Sequence, residues 1–204
     1  MTQLSKGEQG TVAARYKRFG ASNILFDILI VLFVITLAFG ASVVLREYVV
    51  IGTRVKGISM ENTVYDGDTV YLLNTKNVKK GDIIRLKNPI PEKDNSGEIV
   101  DEYLIKRVIA IGGDRLAIPG DGYVYVNGEK VGDGYTKEPG GTNYRAESDD
   151  MSFVTEGKVP DGYIFVLGDN RAKSQDSRVF GAVKTDDIRG KAFLIVRNGD
   201  WIWI

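Results

Sequence analysis

Residues 28–45 run for 18 positions without a charged side chain. No other feature restricts the fold as much, because such a stretch must be kept away from water. As a helix it is about 27 Å long, which approaches the hydrocarbon thickness of a bilayer once Ile24, Leu25 and Phe26 are added. It shows no polar face, so a helix lying half-exposed on a soluble core does not fit. A cleavable signal peptide is the rival reading, since the small residues Ala38, Gly40, Ala41 and Ser42 stand near its end. Residues 1–20 are polar and carry Lys6, Arg15, Lys17 and Arg18. Arg15, Lys17 and Arg18 lie before the span, but Arg46, Arg54 and Lys56 lie after it. The positive-inside rule therefore leaves the orientation of a single-pass anchor open.

After Val49 the pattern changes to short runs of Val, Ile and Tyr broken by Gly, Asp, Asn and Pro, which predicts a mainly β domain. Strands are expected over 49–56, 69–73, 83–86, 163–167, 192–196 and 201–204, with 100–111 the longest. Residues 123–126 and 129–131 form a hairpin pattern around Asn127-Gly128, a pair suited to the positive φ angles of a type I′ turn. Residues 92–98 are a polar loop, and 132–160 read as a polar excursion from the core. In the last strand Trp201 and Trp203 share a face. That face suits either the membrane–water interface or a packed core.

Composition removes several chemistries. Basic and acidic residues balance at 27 each, which gives no electrostatic argument for a nucleic-acid partner. No cysteine is present, so disulfides and thiolate chemistry are excluded. Histidine is absent as well, and with it the usual zinc ligand sets. Nothing in the sequence calls for a metal or cofactor.

The missing histidine sharpens the reading of Gly57-Ile58-Ser59-Met60, a serine in a turn between two strands. A loop serine is ordinarily a solvated hydroxyl. As a nucleophile, Ser59 would need a lysine, a carboxylate or the α-amine as its base. Lys106 lies in the long strand, where alternation places it on one face with Leu104, Val108 and Ala110. There it either snorkels to water or loses its hydration, and desolvation lowers an ammonium pKa toward that of a general base. A third stretch, 168–181, packs Asp169, Asn170, Arg171, Lys173, Ser174, Gln175, Asp176, Ser177 and Arg178 between glycines. It reads as a solvated turn, or as a support in which Ser174 orients the amine while Asp176 and Arg178 hold the loop.

Four ordered stretches carry a family resemblance: Gly57-Ile58-Ser59-Met60-Glu61-Asn62-Thr63-Val64, Gly81-Asp82-Ile83-Ile84, residues 103–114 and residues 168–181. Together they resemble the boxes of type I signal peptidases, Gram-positive-like membrane-bound Ser/Lys proteases of S26 type. The likeness runs from the apolar span to about residue 196. It implies Ser59 as nucleophile and Lys106 as base, with Ser174 hydrogen-bonded to the base, Asp176 and Arg178 as a supporting pair, and Gly57 and Met60 flanking the nucleophile. It implies a mainly β catalytic core with a β subdomain inserted at about 114–160. The parts are then a cytoplasmic segment 1–23, a transmembrane anchor 24–45 and an extracytoplasmic peptidase domain 46–204. Implied partners are signal peptides of secreted preproteins, with an Ala-X-Ala preference, membrane lipid and the secretion translocon, and no nucleic acid.

Two departures stand out. Asn62 occupies a position where the family often has proline. Gly57 replaces a serine whose hydroxyl helps bind the oxyanion in some members, which leaves the second oxyanion donor open. Three other readings are weighed beside this one, of which a purely structural anchored β domain would leave the four stretches unexplained. A LexA-like self-cleaving repressor would carry a DNA-binding domain in place of the apolar span. A non-catalytic relative serving as an assembly factor for surface structures such as pili would not require both Ser59 and Lys106.

Overall fold

The structure is a computed structural model that describes residues 21–44, 49–94, 96–100, 102–142 and 157–204. The basic segment ahead of the apolar run, Arg46 and the centre of the polar excursion (143–156) lie outside the described residues. Two compact units are distinguished, Met1–Glu47 and Tyr48–Ile204.

The first unit contains helix α1, Ala21–Val44, 24 residues long. Within it Ile24–Val43 is long and apolar enough to cross a membrane, and none of that stretch is buried by protein. Its two hydroxyls turn back onto the helix: Thr36 Oγ1 donates to the Leu32 carbonyl at 2.8 Å and Ser42 Oγ to the Phe39 carbonyl at 2.7 Å. Such back-bonding removes the need for water along an apolar path.

The second unit is mainly β. Its larger sheet comprises β1 (Val50–Arg54), β2 (Thr69–Leu73), β3 (Ile83–Lys87), β6 (Tyr103–Ile111), β11 (Tyr163–Leu167), β12 (Val183–Lys184), β13 (Ile188–Arg197) and β14 (Asp200–Trp203). The order is β1-β2-β13-β3-β6-β11-β12, with β14 paired to β13, and every pairing is antiparallel. Strands distant in sequence thereby become neighbours, so β6 runs between β3 and β11.

A smaller sheet holds β7 (Arg115–Ala117), β8 (Tyr125–Val126), β9 (Glu129–Lys130) and β10 (Gly157–Lys158) in the order β10-β7-β8-β9. Asn127 (φ 55°) and Gly128 (φ 84°) make its turn, the left-handed pair that an Asn-Gly hairpin supplies. One apolar cluster joins the two sheets: Ile109, Ala110, Phe165 and Leu167 from the larger pack with Leu116, Ile118, Val124, Val126 and Val159.

Two sequence expectations are corrected, and one of two open alternatives is removed. The longest strand is β13, with 10 residues, and β6 begins only at Tyr103. Residues 92–100 are not a plain loop, because β4 (Glu92–Lys93) and β5 (Ile99–Val100) pair as a separate hairpin. The final strand is not core: Trp201 and Trp203 are 67% and 70% exposed. Strand β14 pairs with β13 alone, and all four of its residues are exposed.

Phe165 is fully buried where the two sheets share their core. Phe165→Ala is expected to lower unfolding stability by about 3–5 kcal/mol, read as a fall in the urea midpoint, because the cavity is walled by strands that cannot collapse.

Candidate active site

Ser59 sits where the chain leaves β1 and tightens into a helical turn. The Thr63 and Val64 N–H groups both donate to the Met60 carbonyl at 2.9 Å, and Met60 is buried with Val55 and Val64 in an apolar cluster. Gly57 has φ +92°, a left-handed conformation that glycine adopts without strain, and its N–H donates to Asp66 Oδ1 at 2.7 Å. A serine in that position would have to adopt the same disfavoured backbone. Asn62 is exposed, and its N–H makes no hydrogen bond among the described residues, so a proline there would forfeit no donor.

Lys106 does not snorkel. It is 2% exposed, and its Nζ lies 2.8 Å from Ser59 Oγ and 3.1 Å from the Ile105 carbonyl oxygen. Burial pushes its pKa down from the ordinary 10.5 to about 8; the Asp176 and Asp169 charges oppose the shift, and Arg178 adds to it. A lysine in this state supplies a substantial neutral fraction near neutral pH, with a lone pair to accept a proton.

The turn after β11 holds the two groups together. A Cβ on Gly168 would run into the Ser174 side chain and the Ser59 carbonyl oxygen, so glycine is required by the closeness of both. Asn170 donates from its N–H to the Ser59 carbonyl at 3.0 Å and from Nδ2 to the Ile58 carbonyl at 3.1 Å. In a planar trans peptide the Ser59 N–H points opposite to the Ile58 C=O. It is thus directed away from Asn170, and it makes no hydrogen bond among the described residues.

Two buried ion pairs brace this turn. Arg107 donates from Nε and Nη2 to Asp169 at 2.9 and 2.7 Å, and Thr63 Oγ1 donates to the same carboxylate. Strand β6, the Ser59 turn and the Gly168 turn are thereby tied at one carboxylate. Asp176 is fully buried and takes Arg178 Nε and Nη2, each at 2.8 Å, together with the Gly168 N–H at 3.0 Å. Asp176 also caps the short helix α2 (Ser177–Phe180). Arg178 Nη2 reaches the Arg171 carbonyl at 2.6 Å, and Arg171 Nε donates to the Gly168 carbonyl at 3.1 Å.

The structure brings Ser59, Lys106, Gly57, Met60, Asp176 and Arg178 into one neighbourhood, with Ser174 close to Gly168. Lys106 is held by Ser59 and a backbone carbonyl, whereas Ser174 Oγ is buried without a hydrogen-bond partner among the described residues. Sequence reasoning did not single out Arg107, Asp169, Asn170 or Thr63. Arg107 and Asp169 are 62 positions apart, and only the pairing of Leu167 with Arg107 across β11 and β6 makes them neighbours. Among the described residues no group of three or more acidic, Cys or His side chains is placed to hold a metal.

Ser59 and Lys106 open onto a cleft of about 320 Å³ lined by residues 53–60, residues 103–106, Arg85, Lys173 and Gln175. Both long walls are strand edges. β1 is the terminal strand of its sheet, and β6 pairs with β11 only from Arg107 onward, leaving residues 103–106 without a ladder on that side.

A buried amine beside a serine hydroxyl, opening between two unpaired strand edges, has the geometry of a Ser/Lys hydrolase acting on extended peptide. Residues 27–197 match the family described as "Signal peptidase, peptidase S26", and the chain belongs to that family. Signal peptidase I of Bacillus licheniformis is 30% identical over 153 residues, covering 71% of this chain and 74% of that protein. Signal peptidase IB of Staphylococcus aureus is 30% identical over 178 residues, covering 77% and 83% respectively. A crystal structure of a signal peptidase I from Enterococcus faecalis V583 is 27% identical and covers 56% of this chain and 96% of its own, with a TM-score of 0.42.

Burial of Lys106 has a stability consequence of definite sign. Below about pH 8 the amine is charged in both the folded and the unfolded chain, and the folded state bears the full desolvation cost. Between about 8 and 10.5 only the unfolded chain stays protonated through the whole range, so the cost fades as pH rises. Lys106→Met is therefore expected to raise stability at pH 7 by ~1–3 kcal/mol. Guanidinium unfolding should show that gain shrinking as the pH is raised toward 10.

Proposed function

We propose that this protein is a membrane-anchored serine endopeptidase that removes N-terminal signal peptides from exported preproteins, with Ser59 as nucleophile and Lys106 as general base. The observation that carries the reading is the 2.8 Å contact between Ser59 Oγ and the Nζ of a lysine that is 2% exposed. Membership of the signal peptidase family supports the substrate class, and α1 supports the anchor.

As Oγ bonds to the scissile carbonyl carbon, its proton passes to neutral Lys106 Nζ. The Ser59 N–H is the oxyanion donor, and its direction is set by the grip of Asn170 on the neighbouring carbonyls. Lys106 returns its proton to the leaving amine as the C–N bond breaks. A water then adds to the acyl-enzyme while Lys106 takes the water's proton, and Ser59 is regenerated when that proton passes to Oγ. The substrate lies extended, donating and accepting main-chain hydrogen bonds along β1 and along residues 103–106. The walls formed by Val55, Ile58, Leu104 and Ile105 favour small apolar side chains next to the cut, as an Ala-X-Ala motif offers. Asp176 and Arg178 support the loop beside the lysine, Ser174 packs against Gly168 within reach of that loop's turn, and Gly57 and Met60 shape the nucleophile turn.

The anchor is retained, with the catalytic domain on the extracytoplasmic face, where signal peptides emerge from the translocon. The exposed indoles of Trp201 and Trp203 contact lipid headgroups. A non-catalytic assembly factor would have no use for a desolvated lysine held against a serine, and that observation disfavours it.

Ser59→Ala and Lys106→Ala are each expected to cut preprotein processing by at least about 10³-fold without loss of fold. Lys106→Arg should fail as badly, since a guanidinium does not deprotonate in the usable range. Ser174→Ala should lose less than either. The acid limb of kcat/KM should follow deprotonation near pH 8, because activity requires the neutral amine. Wild-type processing by Lys106→Arg would end the Ser/Lys assignment.

The membrane side is read separately. The full-length protein should stay with membranes through high-salt and alkaline extraction. Trp201 and Trp203 should report lipid by a blue-shifted fluorescence when liposomes are added; an unshifted spectrum would remove the indoles from the interface.

A further inference from the structure

Residues 133–142 follow β9 out of the smaller sheet and pack against the turns that hold Ser59 and Lys106, yet none of them lines the cleft. The segment is fastened to its own sheet at both ends. Ahead of it the Val131 N–H donates to the Val124 carbonyl at 2.8 Å, and at its end the Thr142 N–H donates to the Gly122 carbonyl at 3.0 Å. The return is tight: a Cβ on Gly122 would strike the Gly140 carbonyl.

Between those ends the segment reaches the catalytic turns. The Arg107 guanidinium lies over the half-buried Tyr135 ring, 4.0 Å from its centroid. Arg171 acts on the Tyr135 hydroxyl by charge and hydrogen bonding, and its Nη1 donates to Thr142 Oγ1. The Lys137 N–H donates to the Asp169 carbonyl at 3.0 Å, and its Nζ to Glu61 in the nucleophile turn at 2.6 Å. One short stretch thus touches β6, the Ser59 turn and the Gly168 turn, the three parts that Asp169 ties together.

Arg107 is the joint in this arrangement. Its edge is fully used: Nε and Nη2 hold Asp169, Nη1 donates to the Gly81 carbonyl at 2.8 Å, and Nη2 also reaches Thr63 Oγ1 at 3.2 Å. Its flat face is what Tyr135 covers. An aromatic ring there attracts the cation and keeps water off it, and an ion pair kept from water is stronger and better defined in direction.

We infer that Tyr135 is a positioning residue for the reaction: by covering Arg107 it keeps the Arg107–Asp169 pair aligned, and so holds Ser59 Oγ at its distance from Lys106 Nζ. This rests on the proteolytic reading above and deepens it, because Tyr135 belongs to a segment that touches neither the dyad nor the cleft. The strand edges that receive the peptide do not depend on Tyr135. Its loss therefore slows proton transfer at the dyad and leaves peptide binding as it was.

The test uses full-length protein in non-ionic detergent micelles and a synthetic peptide spanning an Ala-X-Ala cleavage site, with urea unfolding measured alongside. Tyr135→Leu is expected to lower kcat by about 10- to 30-fold and to keep KM within about twofold of wild type. Tyr135→Phe, which retains the ring over Arg107, should recover most of the rate. Val126→Ala, which opens a cavity in the core of the smaller sheet, separates stability from position. It should lower the urea midpoint and leave kcat at the wild-type value. An unchanged kcat in Tyr135→Leu, or a loss carried wholly by KM, would overturn the positioning role. So would a Tyr135→Phe rate no better than that of Tyr135→Leu, an equal fall of kcat in Val126→Ala, or a Tyr135→Leu chain that does not fold. Failure of the wild-type protein to cleave any such peptide would overturn the proteolytic reading, and this inference with it.

Discussion

Keeping one lysine amine out of water is the constraint to which the rest of the domain answers. An ammonium buried without partners is costly, so a folded chain tolerates Lys106 only as a group that readily gives up its proton. Strand β6 supplies the burial: β3 pairs alongside it at Lys106, and Lys106 leaves its strand face among apolar neighbours. The Ser59 hydroxyl and one backbone carbonyl are the polar partners the amine receives. A lysine so placed is a stability cost retained for its chemistry.

The two ion pairs beside it are explained by geometry more than by energy. Buried pairs of this kind contribute little net stability, because desolvating both charges offsets most of their attraction. What they contribute is position. Asp169 joins Arg107 of β6 to Thr63 of the nucleophile turn, so the strand that carries the lysine and the turn that carries the serine share an anchor. Asp176 joins the Gly168 N–H to Arg178, fixing the turn whose Asn170 grips the carbonyls around Ser59. Each pair also acts on the amine by charge, with Asp176 and Asp169 resisting the fall in pKa that burial imposes.

The same sheet that buries the lysine leaves two edges unsatisfied. β1 ends the sheet, and residues 103–106 lie beyond the point where β11 stops pairing. Exposed edges are ordinarily a hazard, since any extended chain can pair with them. Here both edges line the cleft, beside the serine and the lysine.

Much of this was legible in the sequence. The uncharged run demanded a helix out of water, and α1 covers it, because hydropathy is a local property of the chain. Strands β2 and β11 fall where alternation and turn residues placed them, and Asn127-Gly128 makes its turn, since those signals act over a few residues. Without histidine or cysteine the chemistry around Ser59 had few bases to choose from, and that restriction required no coordinates. What the sequence left open was settled by strand pairing. Whether Lys106 snorkels or is buried depends on β3 pairing beside it and on the Ser59 turn closing over its amine, both far from it in sequence. The Arg107–Asp169 pair, the grip of Asn170 on Ser59 and the need for glycine at 168 arise the same way, from contacts that exist only once the sheet has formed. The final strand stayed outside the core for a related reason: its alternation specified one common face for Trp201 and Trp203, but burial requires a second layer, and none of the described residues of the peptidase domain forms one over β14.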